Sequence, residues 1–442
     1  MVPARPEHDA PAAASTPVER RVSRIVIVAM LVVAVGGIVV RRTTGTLGTA
    51  WAPFVASWGV RVDPAWLIVA VVLAGAVTVL APRLSHAPAQ PWRFALASGA
   101  TWLALGLSIN AARGGTRAWT RVFDLGPGGS FEAVNEYLPG LPTLRHGLHV
   151  YLDRFAEVVP SQPVNVAGHP PGPLLVMDLL GIDGPTGLAL LCIGLGACLP
   201  PLTYALGRAL LGDERRARTA ALLTATSPVG LLFGVTSFDI AFATCGALAA
   251  WLLVRPGTRP LGCAAFALAS LMSWALLAVG AWTAIVAWRR EGLAAAVRLA
   301  LGCALSVLAV NAVLAVGWGY DPIGTLRATE QVYRDSVAQR RPYWFWVVGS
   351  PVAWGLLLGL PLVLATVRGA LRRESAAIAT ASVVAIAAVG GFTKAETERI
   401  WLFLLPLAAV AAAASGGPWR RSLAATLMAQ AIAVSVLADT IW

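Results

Sequence analysis

The chain has 442 residues, 57% hydrophobic and 13% charged, with a mean hydropathy of +0.71. A water-soluble domain carries about 25% charged residues, so these totals exclude one. They also exclude a soluble domain on a single anchor, because long apolar runs recur along the whole length. The net charge of +12 is not a nucleic-acid signature, since most arginines sit in short connectors between apolar runs, where membrane orientation puts them.

Residues 1–23 are rich in Pro, Ala and charge and read as a disordered cytoplasmic tail. Residues 24–442 read as one transmembrane domain, an all-α polytopic helix bundle. Thirteen apolar segments are candidate spans: 24–40, 65–82, 94–112, 186–206, 217–234, 237–254, 261–272, 273–288, 297–317, 348–367, 376–391, 400–415 and 421–438. The seventh and eighth are short and read as a bent pair or a re-entrant segment. With Arg20, Arg21 and Arg24 in the cytoplasm, alternation puts the connectors 83–93, 208–218, 255–259, 289–298, 368–373 and 420–421 inside as well. All are short and basic, as orientation requires. Arg41 and Arg42 are the exception and are expected to snorkel at the outer interface.

The outer side then receives the long loop 113–184, the segment 319–346 and the connector 390–399. The long loop has helical periodicity (Tyr137, Leu138, Leu141, Leu144, Leu148, Tyr151, Leu152, Phe155), which predicts amphipathic helices lying on the outer membrane surface. The five cysteines fall inside apolar runs without metal-ligand spacing and read as small packing residues. No cofactor is expected; a divalent cation is left open, and the sequence does not indicate one. Walker, HExxH, CxxC and GxGxxG motifs are absent.

Four stretches carry candidate chemistry. RVFDLGPGGSFEAVNEYLPGL holds Asp124, Glu132 and Glu136, with Asn135 and Tyr137 beside the last. A carboxylate at the bilayer surface can take a proton from a hydroxyl once burial sets its pKa; the plainer alternative is a solvated loop whose acids balance Arg113, Arg117 and Arg121. In NVAGHPPGPLLVMDLLG, the prolines after His169 make a rigid mount for the imidazole at the membrane boundary. In TSPVGLLFGVTSFDIAFATCGAL, Asp239 lies between two apolar runs, where an ionisable group is expensive and points to function; the alternative is a helix cap. GGFTKAETERIWLFLLP packs Lys394, Glu396, Glu398 and Arg399 between two spans. Lys394 is the one lysine among 34 lysines and arginines. Either the four charges pair along a short helix, or they present a cation to an anionic ligand such as a phosphate. In 319–346, Arg327, Arg334, Arg340 and Arg341 break the positive-inside trend and suit anionic headgroups or a donor phosphate.

The order of these motifs resembles actinobacterial polytopic glycosyltransferases of the GT-C fold class, related to the protein mannosyltransferase-like family. The likeness covers roughly residues 94–415. It implies a polyprenyl-phosphate-linked sugar donor, an inverting transfer to a glycan, lipid or protein acceptor on the extracytoplasmic face, and a loop carboxylate as base. Carried onto this sequence, the base is Glu136 or Asp124. His169, Lys394 and Arg399 contact the donor phosphate, and Asp239 is a pocket residue. Apart from the resemblance, Asn135, Tyr137 and Glu396 are candidate substrate-binding residues by their place beside these groups. Membrane lipids are expected partners and nucleic acid is not. Two readings from other classes stand beside this one: a lipid or solute transporter, and a non-enzymatic envelope assembly protein.

Overall fold

An apolar stretch inside a bilayer must satisfy its own backbone polar groups, and the α-helix does so within one segment. The computed structural model describes residues 16–45, 47–86, 90–416 and 421–442; Arg420 and residues 1–15 of the expected tail lie outside these. Helices α1 (Pro17–Thr44), α2 (Pro64–His86) and α3 (Pro91–Ala111) precede the long loop. After it come α4 (Pro185–Leu211), α5 (Glu214–Thr226), α6 (Pro228–Thr236), α7 (Asp239–Val254), α8 (Arg259–Ser270), α9 (Leu277–Glu291) and α10 (Leu293–Trp318). The last group is α11 (Pro322–Asp335), α12 (Tyr343–Leu358), α13 (Leu360–Leu371), α14 (Ser375–Gly390), α15 (Leu405–Ala414) and α16 (Arg421–Leu437). A short antiparallel ribbon pairs β1 (Ala56–Trp58) with β2 (Ala438–Thr440), Ser57 opposite Asp439.

The thirteen expected spans do not correspond to thirteen helices: 217–234 and 348–367 run across breaks at Ser227 and Gly359, and 273–288 begins in a 3-10 turn. Among the described residues, six helices are long and apolar enough to cross a membrane, or up to nine if each of three bent pairs is one span. The bends are 56° between α5 and α6, 116° after α7, and 113° between α12 and α13. Apolar content alone does not separate one long helix from two short ones meeting at a break. Gly359, at φ 107, makes one such break in a conformation that L side chains rarely adopt.

Two expectations need correction. Residues 17–23 are not tail but the first turns of α1. Thr16 and Glu19 form a reciprocal capping box, and Pro17 occupies the first turn, where its missing N–H costs nothing. The long loop contains no long amphipathic helix. It is a string of short turns, the longest being Leu138–His146 and Gly172–Leu179. Prolines 139, 142, 160, 163, 170, 171 and 173 interrupt any longer run. The periodic residues Tyr137, Leu138, Leu144, Tyr151, Leu152 and Phe155 are buried in the core.

The centre of the bundle is the segment Thr397–Ala414, 94% buried in its apolar window, with α15 packed on α5, α13 and α14. By contrast α1 and α10 are 11% buried, which leaves their apolar sides for lipid. Close packing depends on small residues. A Cβ on Gly196 would stand 2.0 Å from the ring of buried Trp102, whose indole N–H donates to Gly230 O at 3.2 Å. Interhelical hydrogen bonds add directionality: Asn110 to Leu231 O at 2.7 Å, Ser227 to Leu358 O at 2.7 Å, and Trp282 to Thr380 at 3.0 Å.

The connectors gather at two ends. At one, the Val55 N–H donates to Glu398 Oε1 at 2.6 Å and Arg61 pairs with Asp439 at 2.8 Å. At the other, Arg372 pairs with Glu19 at 2.6 Å and donates to Ser415 O, while Arg216 reaches Ala414 O.

Candidate functional site

The first end of the bundle collects charges from segments far apart in sequence. Asp239 begins α7, and its Oδ2 lies 2.5 Å from Arg399 Nη1. Arg399 also pairs with Glu396 at 3.4 Å, and Glu396 with Arg341 at 2.8 Å. Asp239, Arg399 and Arg341 are buried, so this is an alternating row of two acids and two guanidiniums sheltered from water. Charges in such surroundings are tolerated when paired and hydrogen-bonded. Ser237 donates to Asp239 Oδ2 at 2.6 Å, and the Trp442 ring lies 4.1 Å from the Arg399 guanidinium.

The backbone at Glu396 is strained to fit. Ala395 and Glu396 take φ values of 65° and 59°, left-handed for two successive non-glycine residues, at about 1–3 kcal/mol each. Arg341 holds them there, donating to Lys394 O and to Glu396 Oε1, both at 2.8 Å. Burial raises the Glu396 pKa, but Arg341 and Arg399 outweigh it and leave the carboxyl below its ordinary value.

The acids of the long loop approach the same row. A 3-10 turn, Phe131–Asn135, ends at Glu136. Both Glu136 carboxyl oxygens are buried without a hydrogen-bond partner. Burial pushes this carboxyl up to about 8; Arg399 pulls against that shift, and Asp239 and Glu132 reinforce it. The Asn165 side chain lies close enough to Glu136 to lower its pKa, yet the Asn165 amide nitrogen closes no hydrogen bond. Glu132 accepts from Asn135 Nδ2 at 3.1 Å, and burial raises its pKa too.

His169 sits on the proline corner that its sequence suggests. Gly172 is the seat of that corner: its N–H donates to Leu271 O at 3.0 Å, and a Cβ there would stand 2.2 Å from the same oxygen. The His169 ring stacks on Phe242, and its Nδ1 lies 2.6 Å from Asn165 O and 3.2 Å from Tyr137 Oη. A carbonyl only accepts, so Nδ1 carries the hydrogen toward Asn165 O. Burial lowers the His169 pKa and favours the neutral ring.

A cavity of about 710 Å³ opens beside this cluster, of the size that holds a small ligand. Its wall includes Glu132, Asn135, Asn165, Glu396 and five arginines: Arg61, Arg113, Arg117, Arg121 and Arg341. Against these stand Glu132, Glu396 and Asp439, so the lining is net positive. Arg113 donates to Thr440 at 2.6 Å and to Trp442 O, and burial brings its pKa down to about 10. Arg117 and Arg121 are exposed, and among the described residues their side chains make no ion pair or hydrogen bond.

Of the residues singled out from sequence, Glu136, Asn135, Tyr137, His169, Asp239, Glu396 and Arg399 come together. Asp124 does not: its Oδ1 accepts from Gly126 N at 2.8 Å, closing a turn outside the cavity wall. Lys394 is two residues from Glu396, but its ammonium donates to Ala338 O at 3.1 Å and is not part of the wall. Lys394 and Glu398 do not pair, since the helical turn begins at Thr397. Sequence reasoning singled out Arg341 but missed Arg61, Arg113, Arg117 and Arg121 as lining residues, and Trp442. The four-residue spacing of Arg113, Arg117 and Arg121 is the usable signal, although in sequence it is equally consistent with counterions for the loop acids. Among the described residues no group of three or more His, Cys, Asp or Glu could hold a metal ion.

Compared with protein-family models, curated proteins and solved structures, the chain matches none.

Proposed function

We propose that this chain is a membrane glycosyltransferase that moves a sugar from a polyprenyl-phosphate donor to an acceptor hydroxyl. In this reading the thirteen apolar segments cross or enter the bilayer, the N-terminus is cytoplasmic, and the arginine-lined cavity faces the extracytoplasmic side. The observation that carries it is a buried, partnerless carboxyl, Glu136, which is not itself in the wall of the cationic cavity but adjoins two residues that are, Asn135 and Asn165. Raised carboxyl pKa values beside clefts mark candidate general bases.

The acceptor hydroxyl enters beside Asn165 and gives its proton to the Glu136 carboxylate. Its oxygen attacks the anomeric carbon from the face opposite the phosphate. The bond from that carbon to the phosphate oxygen breaks, and the lipid phosphate leaves with the electron pair. Arg113, Arg117, Arg121 and Arg341 stabilise the charge growing on it, an effect that is often the largest in catalysis. Asp239 and Glu396 act as positioning residues by orienting Arg399 and Arg341.

The test is sugar transfer from a labelled polyprenyl-phosphate donor in membranes. Glu136→Gln should lower transfer at least about 100-fold, the lower range for loss of a general base. Equal transfer by wild type and Glu136→Gln removes Glu136 from this role.

A further inference from the structure

A second concavity lies at the far end of α7 from Asp239. α7 has 16 residues, a rise of about 24 Å, so this concavity is well separated from the charge row. Its volume is about 560 Å³, and it is bounded by the α7–α8 bend and the end of α9, with Leu253, Val254, Arg255, Arg259, Arg290 and Glu291 in the wall. The charge is unevenly matched. Arg259 is neutralised by Glu291 at 2.5 Å and also donates to Leu253 O. Among the described residues, Arg255 has only the face of Trp251, 5.4 Å away. Among the described residues, Arg290 makes no ion pair or hydrogen bond. Two guanidiniums are therefore unneutralised in one hollow whose wall also holds the Arg259–Glu291 pair, Thr283 and the apolar Leu253, Val254, Val286 and Ala287; exposed Leu261, Leu268 and Trp288 lie on the same helices outside that wall.

We infer that this hollow is a binding site for an anionic phospholipid, its phosphate between Arg255 and Arg290 and its acyl chains along α8 and α9. Apolar side chains in the wall, Leu253, Val254, Val286 and Ala287, together with exposed leucines on α8, favour a lipid over a soluble anion. Basic hollows between membrane helices recognise lipid headgroups by this combination. A lipid seated there would brace the 116° bend between α7 and the Pro256–Ser270 segment. The inference does not depend on the glycosyl-transfer reading.

The full chain, purified in neutral detergent, is titrated with dioleoyl-phosphatidylglycerol, dioleoyl-phosphatidylcholine or inorganic phosphate. Bound lipid is counted by native mass spectrometry and stability is followed by thermal melting. The expected result is retention and stabilisation by phosphatidylglycerol over phosphatidylcholine. Arg255→Gln/Arg290→Gln should weaken it about thirtyfold, from the contribution of two arginines at a membrane surface. Arg255→Lys/Arg290→Lys and Arg421→Gln should keep it. Equal retention of the two lipids overturns the inference, as does an equal loss in Arg421→Gln. Displacement of the lipid by inorganic phosphate makes this a soluble-anion site and also overturns it. Where the double glutamine variant fails to fold, Arg255→Gln and Arg290→Gln singly give the reading: each should weaken retention about fivefold, and no loss in either overturns the inference.

Discussion

Glu136 shows how much one residue's surroundings can change. On a helix, the four-residue spacing of Glu132 and Glu136 puts them on one face. In the structure no helix is needed, because a 3-10 turn ending at Glu136 delivers both acids to the charge row. With its pKa raised to about 8, Glu136 is mostly protonated at neutral pH and becomes a base only as pH rises. Transfer should therefore climb through a limb near pH 8, and a pH–rate profile flat across that range would count against Glu136 as the base. The same shift has a consequence for stability. The folded state holds a proton that the unfolded chain releases above about 4.5, so this contribution is lost as pH rises from there through about 8. Glu136→Gln lacks the titrating group. Its melting temperature should gain on the wild type over that interval, and a constant difference would contradict the assignment.

Where elements meet, two contacts decide whether the site exists. The start of α7 is tied to the Thr397–Ile400 turn by Asp239 and Arg399, both buried. Removing one member leaves a buried charge unmatched, a loss of about 3–5 kcal/mol. Asp239→Asn and Arg399→Gln should each destabilise strongly, while the double variant costs less than their sum. A double-mutant cycle on thermal melting measures this, and strict additivity would show that the pair is not coupled. The proline corner is the other contact. At Gly172 no space exists for a methyl group against Leu271 O, so Gly172→Ala should destabilise by about 1–3 kcal/mol. It should also displace His169, reducing transfer more than the same change at Gly184, where the backbone is extended and nothing lies within 4 Å.

For the molecule as a whole, the two ends of the bundle differ in kind. One holds the charge row and the large cavity, the other the capping box of α1 and the basic connectors. If the two ends face opposite sides of a membrane, cysteines placed at Ser130 and at Arg255 in a cysteine-free background should react with an impermeant thiol reagent from opposite sides. Labelling of both from one side would refute the alternation of connectors on which the orientation rests. The arginine lining also makes a collective prediction. Arg117→Gln/Arg121→Gln should raise the apparent KM for a phosphate-bearing donor and flatten its salt dependence, because two exposed, unpaired guanidiniums act through long-range attraction.

The sequence by itself determined the all-α class, the membrane setting and the residues of the charge row, because hydropathy and the cost of burying an ionisable group are local properties. Asp239 could be singled out because it lies between two apolar runs, and Glu396 and Arg399 because they share a short charged connector between two spans. Only the tertiary structure decided which of them pair, that Asp124 is spent on a turn, that Lys394 turns to Ala338, and that the long loop is short turns packed into the core. Those outcomes depend on contacts between segments hundreds of positions apart, such as Val55 with Glu398 and Arg113 with Thr440. No periodicity or spacing encodes them, because a buried charge selects its partner by proximity in space.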